Sequence, residues 1–178
     1  MADLSIIASM RRGKNYSLRF GRLMRPFMPL LLVALASIPA QVLANDDVER
    51  LLARTEAPAG VVFEIVEADE DALEDLLPRV QIAIAKIRAR FPQTEFAVVS
   101  HGREEFALQS KYQLENAEIH QQVQSLVSDE VPVHVCETHA GWYGVSAEDF
   151  PEYVNVSPTG PGQIRLYQEL GYELIVVE

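Results

Sequence analysis

Cys136 is the one cysteine in the chain. It closes the apolar run Val131 to Val135 and stands just ahead of a helix-compatible segment that starts at Glu137. A thiol placed there meets backbone N–H groups that favour the thiolate, the nucleophilic form of cysteine. Two features oppose this: Glu137 is adjacent, and the domain around it is acidic. The bland alternative is a small buried hydrophobe.

His134, Cys136 and His139 suggest a second chemistry. Alternation along a strand puts His134 and Cys136 on one side, and His139 could return from the loop. Imidazole and thiolate suit zinc or copper, with His101 as a further ligand. Three candidates within six positions are a weak signal, and two ordinary histidines around a strand are the leading explanation; no resident metal or cofactor is assigned. Ser100-His101-Gly102 closes a second apolar run, and Ser157-Pro158-Thr159-Gly160 follows a third. In open α/β sheets, ligands bind beyond the carboxyl ends of the strands. If these strands are parallel neighbours, all three loops share one rim. Cys136 is then the candidate nucleophile. His101, Gly102, Glu137, His139, Thr159 and Gly160 are the candidate binding residues.

Other features read more plainly. The acids from Glu67 to Asp71 suit a solvated helix start rather than a cation site. Trp142-Tyr143, between Gly141 and Gly144, fits a lid, a subunit contact or a surface loop pinned by its aromatics. No GxSxG elbow, GxGxxG or Walker sequence occurs.

The elements that must position these residues follow from periodicity. A lead-in over 45–59 can start a helix at Asp46 or Asp47. Strands are expected at Val61–Val66, Phe96–Val99, Val131–Val135, Val154–Val156 and Leu174–Val177. Leu73, Leu76, Leu77, Val80, Ile84 and Ile87 repeat at helical spacing, with Pro78 predicting a kink or restart and Pro92 a stop. Helices are further predicted over Glu104–Ser110, Leu114–Val127 and Gln163–Leu170, the last ended by Gly171. In the Leu114 helix the apolar stripe is Leu114, Ala117, Val123 and Val127. A loop or short helix covers Glu137–Phe150, and Gly160-Pro161-Gly162 reads as a loop. Strands alternating with helices give an α/β domain with a mostly parallel sheet of about five strands, covered on both faces.

Charge divides the chain. Residues 1–44 hold Arg11, Arg12, Lys14, Arg19, Arg22 and Arg25 against the single acid Asp3, so nearly all of the 26 acids lie beyond them. The net charge of −11 excludes a nucleic-acid binder, which needs a clustered basic surface. The apolar run Phe27–Ile38 follows the basic stretch, then Val42-Leu43-Ala44. Basic region, short apolar region and small-residue site form a secretory signal with cleavage after Ala44. The run is short for a membrane span, although an inner-membrane anchor is the alternative. Met10 or Met24 could be the true start. The expected product is a periplasmic domain with no membrane attachment. A lone cysteine excludes an internal disulfide framework.

Several stretches carry a family resemblance: Val61-Val62-Phe63, Val98 to Gly102, Val131 to Glu137, Pro158-Thr159-Gly160 and Gln168 to Tyr172. In this order and spacing, residues 60–178 resemble the DsrE/DsrF-like family of small sulfur-relay proteins, especially its stand-alone branch. The resemblance implies a three-layer α/β/α domain and homo- or hetero-oligomers, often trimers or hexamers. It also implies a strand-end cysteine, here Cys136, that accepts sulfane sulfur as a persulfide and hands it to a partner. Relay members are usually cytoplasmic, whereas this chain carries an export signal. An exported sulfur carrier is one expectation, and a non-catalytic oligomeric module that binds a small ligand is the other.

Overall fold

The computed structural model describes residues 46–178, so the expected signal segment and its expected cleavage after Ala44 lie outside the described residues. Helix α1 spans Asp46–Leu52, followed by strand β1 (Gly60–Ile65), helix α2 (Leu73–Arg90) and strand β2 (Glu95–Ser100). Two 3-10 turns, Arg103–Leu108 and Ser110–Tyr112, precede helix α3 (Ala117–Ser128) and strand β3 (Val133–Cys136). Helix α4 (Glu137–Trp142), a 3-10 turn at Ala147–Asp149, strand β4 (Asn155–Ser157), helix α5 (Gly160–Glu169) and strand β5 (Tyr172–Val177) complete the fold.

The sheet has five strands in the order β4-β3-β2-β1-β5, and every pairing is parallel. The three inner strands, β1, β2 and β3, are buried on both faces, which explains their nearly unbroken apolar runs. Val61, Phe63 and Ile65 point into the larger core with Leu77, Ile87, Leu108 and Ile119. Val62, Ala97 and Val99 point the other way and meet Ile164 of α5. Helices α2 and α3 thus cover one face, and α5 the other. Among the described residues no helix is long and apolar enough to cross a membrane.

Local chemistry moves several elements from their expected places. Helix α2 runs unbroken through Pro78. Proline removes one backbone bond, but Leu76, Leu77 and Val80 flank it in the core and hold the helix to the sheet. Leu114 is 94% exposed and lies outside α3, whose buried stripe is Ile119, His120, Val123 and Leu126. The predicted helix at Glu104 is a 3-10 turn. Gly160-Pro161-Gly162 is the first turn of α5, not a loop. Thr159 Oγ1 accepts the Gly162 N–H at 3.1 Å, and proline is preorganised for a helix start. Gly171 ends α5 at φ 88°. Helix α3 ends on Glu130 at φ 62°, with Val131 N–H bonded to Leu126 O at 2.9 Å, a Schellman closure built without glycine.

Candidate functional site

The carboxyl ends of β2, β3 and β4 lie side by side, as the three-loop reading requires. Val99 pairs with His134 and Ser100 with Val135, so the next register places His101 beside Cys136, while Cys136 pairs with Ser157. By alternation from Val99 and His134, His101, Cys136 and Ser157 form one row on the α5 face. The loops are also tied together: Thr138 donates from N and Oγ1 to Pro158 O at 3.2 and 2.7 Å.

Cys136 is only 4% exposed. Its Sγ accepts the His139 N–H at 3.3 Å in the first turn of α4. Beneath it lies Glu105, which is fully buried. Glu105 Oε2 accepts the Cys136 N–H at 2.7 Å, and Oε1 faces His139 Nδ1 at 2.8 Å. Burial pushes the Glu105 carboxyl up to about 7, against the opposing pull of the Cys136 and His139 bonds. In the tautomer with its proton on Nδ1, His139 donates to the Glu105 carboxylate and Nε2 is left as an acceptor.

Glu104, next to it, is equally buried but serves the loop. It accepts from Ser100 Oγ at 2.8 Å, Gly102 N at 3.0 Å and Glu67 N at 2.7 Å. Three donors satisfy this buried carboxylate. Gly102 is required by close approach: a Cβ there would lie 2.5 Å from Glu67 O.

His101 Nε2 faces Glu64 Oε1 at 2.8 Å, both side chains largely covered. Gly160 packs on the His101 side chain, where a Cβ would come within 2.6 Å of the ring atom Cγ. Thr159 is occupied in capping α5. Glu137 is exposed on the first turn of α4.

The metal reading finds no support. His134 Nδ1 lies 2.9 Å from Ser157 Oγ and Nε2 lies 2.9 Å from Tyr167 Oη. Ser157 donates onward to Gln163 Oε1 at 3.2 Å, which makes Nδ1 the donor and Tyr167 the donor to Nε2. Burial lowers His134 to about 4, which keeps it neutral. His134, Cys136 and His139 do not converge, and no group of three or more potential ligands assembles among the described residues.

An aromatic cluster surrounds His139. Phe106 stacks on it at 5.4 Å, Tyr143 tilts against it at 5.3 Å, and Trp142 meets it edge-on at 5.7 Å. Trp142 is nevertheless 75% exposed. Arg103 reaches Glu70 and lies over the Tyr143 ring. The structure brings Cys136, His139, His101 and Gly160 to one rim. Sequence reasoning missed Glu64, Glu105 and Tyr167. A glutamate inside the run Val61–Val66, and paired acids directly after a strand end, were the available signals.

No family model matches the chain, and no curated protein matches it. Among solved structures, a protein of unknown function from Methanobacterium thermoautotrophicum is similar, with 25% identity and a TM-score of 0.54. That match covers 65% of this chain and 96% of the other. A conserved protein of unknown function from Bacteroides thetaiotaomicron aligns at 10% identity with a TM-score of 0.43, over 65% of this chain and 93% of its own. The first of these likenesses, together with the all-parallel sheet flanked by helices, establishes an α/β fold.

Proposed function

We propose that this is an exported, DsrE-like sulfur-handling protein, in which Cys136 accepts sulfane sulfur as a persulfide and passes it to a partner. The observation that carries the reading is the His139 N–H directed at Cys136 Sγ. A hydrogen bond to sulfur favours the anionic form that attacks. The thiolate attacks a terminal sulfur of a hydropolysulfide. One S–S bond forms on Cys136, one S–S bond in the donor breaks, and its electron pair leaves with the shortened hydrosulfide. No outside oxidant is needed. His101, Gly102, His139, Thr159 and Gly160 frame the rim, and Glu137 stands at its edge.

Mass spectrometry of the mature protein tests this, before and after exposure to polysulfide and beside Cys136→Ser. A gain of one sulfur, reversed by reductant and absent from the variant, is the expected result. The same spectrum reads the mature N-terminus, expected at Asn45. An unmodified thiol would overturn the reading.

The burial of Cys136 supports a second reading, a non-catalytic homo-oligomeric module that binds a small ligand, with Trp142 and Tyr143 at the subunit contact. Under it, the thiol resists alkylation until the protein unfolds. The native mass is a multiple of the monomer, such as a trimer or hexamer, and falls on Trp142→Ala.

A further inference from the structure

Three hydrogen bonds around Cys136 close on themselves. Glu105 Oε2 holds the Cys136 backbone N–H, Glu105 Oε1 holds His139 Nδ1, and His139 N–H returns to Cys136 Sγ. The proposed sulfur chemistry makes no direct use of Glu105, yet a fully buried carboxyl is costly unless its bonds have a task. We propose that Glu105 is the positioning residue of this site: its carboxylate fixes His139 and β3 together, so that the reactivity of Cys136 follows the ionisation of Glu105. This deepens the sulfur-carrier reading and rests on it only for the identity of the reaction.

The geometry needs both carboxylate oxygens. Each accepts from a different element, one from β3 and one from α4. A protonated carboxyl cannot accept from both N–H groups; it keeps the Cys136 N–H on one oxygen and donates from the other to Nδ1 of the opposite imidazole tautomer. A glutamine is confined to the same neutral arrangement. Losing the charge-assisted bond loosens the first turn of α4 and with it the donor on Sγ. The groups acting on Glu105 are few. His139 acts from α4, the Cys136 N–H from β3, and Glu104 from its own turn. The α3 histidine, His120, is turned to Tyr153 Oη. The inward face of α2 is apolar. Burial, the largest influence, places the Glu105 ionisation near 7, and the His139 bond holds it down.

The test is the rate of Cys136 alkylation by a small neutral reagent across pH in the folded protein. It is accompanied by NMR titration of the isotopically labelled Glu105 carboxyl. In the parent protein the rate rises in two steps, one of them tracking the Glu105 titration near 7. Glu105→Gln removes that step and lowers the plateau roughly tenfold, the effect of losing one charge-assisted hydrogen bond. His139→Ala removes the link between Glu105 and α4, so the step disappears from the alkylation profile while the Glu105 titration itself moves to higher pH. If Glu105→Gln fails to fold, the loss of the step in His139→Ala and the carboxyl titration still decide the matter. A parent profile without the step, or a Glu105 titration in the ordinary carboxylate range, overturns the proposal. The two readings fail separately. A step without polysulfide uptake removes the sulfur chemistry and leaves the ring, while uptake without the step removes the ring alone.

Discussion

Glu105 Oε2 lies 2.7 Å from the backbone nitrogen of Cys136, thirty-one positions along the chain. A carboxylate buried without exposure therefore anchors the strand end that carries the thiol. The same group makes stability sensitive to pH.

Glu105 sits at about 7 in the folded protein, raised from an ordinary value of 4.5. The folded state therefore holds a proton that the unfolded state releases between 4.5 and 7. This contribution is fully present below 4.5 and is lost as pH rises through 7, up to about 3 kcal/mol. Urea unfolding across pH checks it: Glu105→Gln abolishes the loss.

His134 has the opposite sign. Its folded value near 4 lies below the ordinary 6.5, so the unfolded state takes up the proton first. Its contribution is complete above 6.5 and is lost as pH falls towards 4, again up to about 3 kcal/mol. The two groups oppose one another between 4.5 and 6.5. The parent protein shows a shallow pH dependence there. His134→Gln unmasks falling stability with rising pH, and Glu105→Gln unmasks rising stability.

Two glycines separate close approach from open space. Gly102→Ala pushes a methyl group into the Glu67 backbone and is expected to cost about 1–3 kcal/mol. Gly141→Ala meets nothing within 4 Å inside α4 and is expected to stabilise by about 0.5–1 kcal/mol. Denaturant midpoints at unchanged slope distinguish the pair.

Glu130 occupies the left-handed region at φ 62°, where a side chain is strained by about 1–2 kcal/mol. Glu130→Gly relieves this strain but adds freedom to the unfolded chain. A net gain of about 0.5–1 kcal/mol in thermal or chemical unfolding is expected.

Much of the fold is legible because local and global preferences agree. Val61, Val62, Phe63 and Ile65 are apolar and buried on both faces, as a central parallel strand demands. The strand-end rule also places His101, Cys136 and Thr159 on one rim. Leu114 misleads because apolar character alone cannot reveal that its turn lies outside the core. Gly160 misleads because composition suggests a loop, whereas the Thr159 cap and the packing of Gly160 on His101 begin a helix there. The partners of the site were least legible. Glu64 meets His101 across 37 positions, and Glu105 meets His139 across 34. Nothing local distinguishes such a buried acid from a solvated one.

The order β4-β3-β2-β1-β5 has a consequence for how the sheet comes together. The strands β1 to β4 join outwards in the order of the chain, each beside its predecessor. Strand β5 instead returns to the free edge of β1, pairing Gly60 with Tyr172, and the ion pair of Arg54 with Glu173 spans 119 positions. A chain emerging from its N-terminus therefore leaves β1 with one open edge until the last described strand is made. Closure entropy for so distant a pairing is large. During that interval the exposed rim of β1 is a template for any other extended segment, and β5 is the strand that ends the exposure.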